Sequence, residues 1–79
     1  MNPNSIKLLC YLADHGPSYR ARMIREGAGI PHRIVSCIVI HALENRWVRY
    51  APAKSHDQRA QWIEITDAGR RALEAECGN

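Results

Sequence analysis

The sequence predicts a small, mainly helical α+β domain, with three helices, a two-stranded hairpin and a closing helix in one domain spanning residues 1–79. Three observations predict it. Apolar residues recur at intervals of three and four in separate windows, as in Leu8, Leu9, Leu12 and Ala13, which is the spacing of a helix with one buried face. The pattern changes to β-branched, aromatic and alternating residues at Trp47–Tyr50 and Gln61–Ile65, on either side of a polar stretch. Glycine- and proline-bearing breaks, His15-Gly16-Pro17 and Gly27-Ala28-Gly29, separate the helical windows.

The elements follow in order. The first helix is expected from Ser5 to Asp14, capped by Asn4 or Ser5 with Pro3 just outside, and ended by Gly16 and Pro17. His15 falls at its C-terminus, where a positive charge suits the helix dipole. Ser18 is the expected N-cap of a second helix, Tyr19 to Glu26, with Ala21, Ile24 and Ala28 inward and Arg20, Arg22 and Arg25 pointing elsewhere. The two close glycines suit a tight turn. A third helix then opens at Pro31, whose missing N–H needs no partner in a first turn. At 100° per residue, Val35, Ile38, Val39, Ala42 and Leu43 share its core face. Arg33, Ser36, Cys37, Ile40 and Glu44 fall opposite, with Ile34 and His41 on a flank. Trp47–Tyr50 and Gln61–Ile65 form the hairpin, Ile63 and Ile65 inward, around a polar loop from Ala51 to Ala60. Thr66 caps the last helix, Asp67 to Cys77, with Ala68, Ala72 and Leu73 facing the core.

Composition narrows the function classes. With 46% apolar and 24% charged residues, the chain is a globular domain rather than a disordered one. No run approaches the roughly 20 apolar residues of a membrane span. The N-terminus has no basic stretch followed by an apolar core, so no signal peptide is expected and the cytoplasm is the expected compartment. Cys10, Cys37 and Cys77 form no CxxC pair, which argues against a disulfide framework or structural zinc. Charge is uneven. Ser18–Arg59 holds eight basic and three acidic residues, a net +5, and the remainder is −2. A basic middle is an electrostatic footprint for phosphate, and equally the solvated face of a domain that binds nothing anionic.

In this order of elements the sequence resembles the winged helix-turn-helix proteins, and within them the MarR-like transcriptional regulators. Three stretches carry the likeness: GIPHRIVSCIVIHALENRWV (29–48), the basic loop 51–60, and ITDAGRRAL (65–73). The resemblance implies a small regulator that binds double-stranded DNA, most often as a homodimer, with the third helix in the major groove and the wing on the backbone. By position it puts His32, Arg33, Ser36, Cys37, Ile40 and His41 toward the bases. It puts Arg20, Arg22, Lys54, His56 and Arg59 on the phosphates. Arg33 suits the edge of a guanine, and Ser36 either donates or accepts. The surface departs from a typical reader in offering one arginine, no Asn or Gln, and an acid at Glu44.

That departure keeps a second reading open. Ile34, Cys37 and Ile40 make an apolar flank suited to protein contact, with a second copy or a different partner. Small winged-helix proteins of phages and mobile elements, some anti-CRISPR proteins among them, are similar in size and bind a host protein complex as inhibitors. Cys37 and His41, four apart, are helical neighbours. A metal needs further ligands and only His32 is near, so neither a metal nor another cofactor is expected. An enzyme needs an orienting group and an oxyanion site, neither of which can be named, so no catalysis is expected. A redox-sensing thiol at Cys37 is the remaining chemical reading. Trp47, Tyr50 and Trp62 are expected as cross-strand pairs and core edge rather than as platforms for unpaired bases.

Overall fold

Helix α1 (Pro3–His15) begins where Asn2 is extended and its side-chain oxygen accepts from the Asn4 N–H at 2.7 Å. These contacts come from a computed structural model, which describes residues 1–52 and 61–77, of Cys77 only the backbone. The cap is therefore Asn2, not Asn4 or Ser5. Pro3 lies inside the first turn, where its fixed φ and absent N–H cost nothing. The helix buries Ser5, Leu8, Leu9, Tyr11 and Leu12, while Ala13 is half-buried. Gly16 closes it, its N–H donating to Leu12 O at 2.9 Å.

Ser18 does not cap the second helix. It is buried and pairs with Ile63, its N–H donating to Ile63 O at 3.0 Å and its carbonyl accepting from Ile63 N–H at 2.8 Å. A long-range backbone pair has displaced the local side-chain cap. Helix α2 is consequently short, Arg20–Arg25, with Tyr19 at its N-cap. Met23 is its buried residue, Ile24 and Ala28 pack half-buried against the core, and Ala21 is exposed. Six residues are too few for a periodic face to be read from sequence. Gly27 and Gly29 then take φ values of 77° and 88°, the left-handed region that L side chains avoid, and turn the chain toward the next helix.

Pro31 precedes that helix rather than opening it. Its carbonyl accepts from Ile34 N–H at 3.0 Å, closing a 3₁₀ turn over His32–Ile34, and helix α3 proper spans Val35–Glu44. Val35, Ile38 and Ala42 are buried and Val39 and Leu43 half-buried, so the expected core face holds. The helix ends with Arg46 at φ 62°, while Trp47 N–H reaches Ala42 O and Arg46 N–H reaches Leu43 O, both at 3.0 Å. This is a Schellman closure with arginine where glycine is usual.

Strands β1 (Val48–Tyr50) and β2 (Ile63–Ile65) are antiparallel, pairing Val48 with Ile65, Arg49 with Glu64 and Tyr50 with Ile63. Both are shorter than expected. Ile63 is buried and Ile65 half-buried against the core. The aromatics are not one another's cross-strand partners: Tyr50 faces Ile63, while Trp62 packs edge-on against Tyr19 and Trp47 against His41. Thr66 caps helix α4 (Asp67–Cys77), its hydroxyl oxygen accepting from Gly69 N–H at 3.0 Å. The same hydroxyl donates back to Arg46 O at 2.6 Å, fastening α4 to the root of the hairpin. Ala68, Ala72 and Leu73 are half-buried. The core joins α1, α2, α3 and both strands through Leu8, Leu9, Leu12, Met23, Val35, Ile38, Ala42, Val48 and Ile63. Among the described residues no helix is long and apolar enough to cross a membrane.

Candidate nucleic-acid interface

Packing α3 through Val35, Ile38 and Ala42 leaves its other side in solvent. Cys37, Ile40, His41 and Glu44 are exposed there, and His32 and Arg33 are exposed on the 3₁₀ turn that leads into it. Ile40 is 55% exposed. The Arg33 side chain makes no hydrogen bond or ion pair among the described residues. His41 is engaged at the far end: its ring sits T-shaped on Trp47 at 5.6 Å, and Asn45 Nδ2 lies 3.3 Å from its Nε2.

Ile34 departs from its expected place. It packs against the core, half-buried, so the apolar flank reduces to Cys37 and Ile40. The helical wheel fails there because Ile34 belongs to the 3₁₀ turn, with φ −114° and ψ 0°, and a 100° step does not apply before Val35.

The short α2 aims its arginines in different directions. Arg20 crosses to α3, its Nη1 donating to Ser36 Oγ at 2.5 Å. Arg22 pairs with Glu26 at 3.4 Å, and its guanidinium carbon stands 6.0 Å from the Trp62 ring centre. Arg25 is exposed, with Nη2 at 3.5 Å from the Tyr19 hydroxyl. Glu26 also accepts from the Tyr11 hydroxyl, tying the end of α2 to α1. That hydrogen bond, with Arg22 beside it, holds the Glu26 carboxyl below its usual range. Burial and the Glu26 partner raise the Tyr11 hydroxyl above its own. On the hairpin, Arg49 is bound to Glu64 with Nη2–Oε2 at 2.7 Å. Lys54, His56 and Arg59 lie outside the described residues.

Between α2, α3 and the hairpin lies an open groove of about 720 Å³, with Arg20 and Ser36 on one wall and Ile40, Leu43, Tyr50 and Gln61 on others. Tyr50 is 59% exposed in it. Sequence reasoning missed this groove, and also the Tyr11–Glu26 tie, because each joins residues fifteen or more apart with no periodic signal. Among the described residues no three His, Cys, Asp or Glu side chains converge as a metal site requires.

No known protein-family profile matches the chain, and no curated protein matches it. Solved structures do. BpsR from Bordetella bronchiseptica, whose DNA binding is regulated by 6-hydroxynicotinic acid, superimposes with a TM-score of 0.77 over 95% of this chain at 17% identity. A MarR family regulator from Neisseria meningitidis superimposes with a TM-score of 0.68 over 96% of it at 22% identity. The chain spans about half the length of each, 55% and 51% respectively. Three helices, a two-stranded antiparallel hairpin and a closing helix thus form the winged helix-turn-helix fold found in MarR family regulators.

Proposed function

We propose that this domain binds duplex DNA as part of a transcription regulator, with α3 in the major groove and the hairpin along the backbone. One observation carries the reading. In this fold, Arg33, with no side-chain partner among the described residues, stands on the turn leading into α3, and a second guanidinium, Arg20, is laid on the exposed side of α3 by Ser36. Donors so placed suit the acceptor-rich edges and phosphates of a duplex. Arg25 on α2 and, in the sequence between the two strands, Lys54 and Arg59 add positive charge suited to phosphate, and His56 adds a further polar group there. The test is fluorescence anisotropy of a labelled random duplex at low and near-physiological salt. The expected result is micromolar binding that weakens steeply with salt. Absence of binding at low salt overturns the reading.

A second reading has its own observation: Ile40 and Tyr50 stand more than half exposed in one groove. A homodimer partner or a host protein would cover them. Under this reading Ile40→Asp abolishes the complex while the fold persists, and sedimentation with and without the change decides it.

A further inference from the structure

Arg20 and Ile40 reach one patch from two elements. Arg20 comes from α2 and is held by Ser36 Oγ at 2.5 Å, one helical turn before Ile40 on α3. Both line the groove that Tyr50 and Leu43 complete. An arginine fixed this way has donors left over, since the guanidinium carries five and Ser36 takes one. It also loses less side-chain freedom on docking than a free one. Ile40, 55% exposed beside it, gains nothing from a phosphate, which stays hydrated. The one apolar group on the major-groove edges of DNA is the thymine methyl.

Resting on the DNA reading above, we propose that this face reads a guanine and a nearby thymine, Arg20 taking the guanine N7 and O6 and Ile40 covering the thymine C5 methyl. Arg20 is then a base reader rather than a phosphate clamp, and α3, which carries no arginine or lysine of its own, obtains a guanidinium from α2. Ser36 and Ile40 are about 6 Å apart along the helix. That is about two base-pair steps of roughly 3.4 Å, so the two bases lie within two steps of each other.

The test begins by selecting an operator from a random duplex library with the whole chain. Each thymine of that operator is then replaced singly by uracil, which removes only the methyl. One replacement is expected to weaken binding about threefold to fivefold, the worth of one buried methyl. Ile40→Ala is expected to bind the thymine and uracil forms alike. Arg20→Ala is expected to lose about tenfold on the operator and to accept other bases at the guanine position. If no uracil substitution matters, or if Ile40→Ala keeps the methyl sensitivity, the proposal is overturned while DNA binding stands. Salt-sensitive binding from which no operator can be selected has the same consequence. If no duplex is bound at low salt, the DNA reading fails and this inference with it.

Discussion

Replacing Gly69 by alanine tests how the hairpin is fixed to the helices. In an open helix the change would gain about 1 kcal/mol of helix propensity. Here a Cβ would stand 2.1 Å from Trp47 O, 2.9 Å from Ile65 Cγ1 and 3.0 Å from Trp47 C. The nearest of these is backbone, so no rotamer relieves it. The first turn of α4 must move about 1 Å from the root of β1. That movement breaks the Thr66 N–H bond to Trp47 O (2.9 Å) and the Thr66 hydroxyl bond to Arg46 O (2.6 Å). Two such bonds contribute about 1 kcal/mol each, and overpacking costs about 1–3 kcal/mol. Set against the propensity gain, the expected loss is about 3 kcal/mol. At about 1 kcal/mol/M for a small domain in urea, the unfolding midpoint falls by about 3 M. Arg71→Ala, on the exposed side of α4, serves as the control and should move it little. A Gly69→Ala midpoint at or above that of the native chain would refute the close approach of α4 to β1.

Further outcomes follow from the same contacts. Arg46 holds φ 62° without being glycine, so Arg46→Gly should raise stability by up to about 1 kcal/mol in urea unfolding. The Glu26 carboxyl is held below its unfolded value by the Tyr11 hydroxyl and Arg22. The stability this contributes is present above the ordinary glutamate range and is lost as pH falls through the lowered folded value. Tyr11→Phe should flatten that acid limb in unfolding curves measured from neutral to acid pH. Arg33→Ala should cost about 1–3 kcal/mol on a selected operator and relax one base preference, read by competition anisotropy.

The parts of the fold legible in the sequence are those decided locally. The α3 core face, Val35, Ile38 and Ala42, follows from its period, and the Thr66 cap follows from a side chain three residues from its target amide. Ser18 has equally good capping chemistry, yet the Ile63 backbone takes it into a strand pair, and nothing within several residues announces that. Ile34 departs from the helical wheel because a 3₁₀ turn precedes α3. The site divides the same way. Exposure of Cys37, Ile40 and Glu44 was readable from helical spacing, whereas the Arg20–Ser36 bond spans sixteen residues and depends on how α2 crosses α3.

Net charge overstates what the domain can offer a phosphate. Of the described arginines in its basic middle, Arg49 is bound to Glu64 and Arg22 to Glu26, while Arg20, Arg25, Arg33 and Arg46 have no acidic partner among the described residues. Such pairs at the surface are worth little to folding, so they persist only until a stronger anion arrives. Near DNA, however, each carboxylate both occupies an arginine and repels the backbone. The Arg49 side chain is 69% exposed and that of Glu64 only 23%, so Arg49 is the member free to turn outward. Glu64→Gln should therefore leave stability within about 1 kcal/mol of the native value. It should also release one guanidinium to the backbone and steepen the slope of log affinity against log salt by about 0.9. A slope unchanged by this substitution would mean that the β1 side of the hairpin faces away from the duplex.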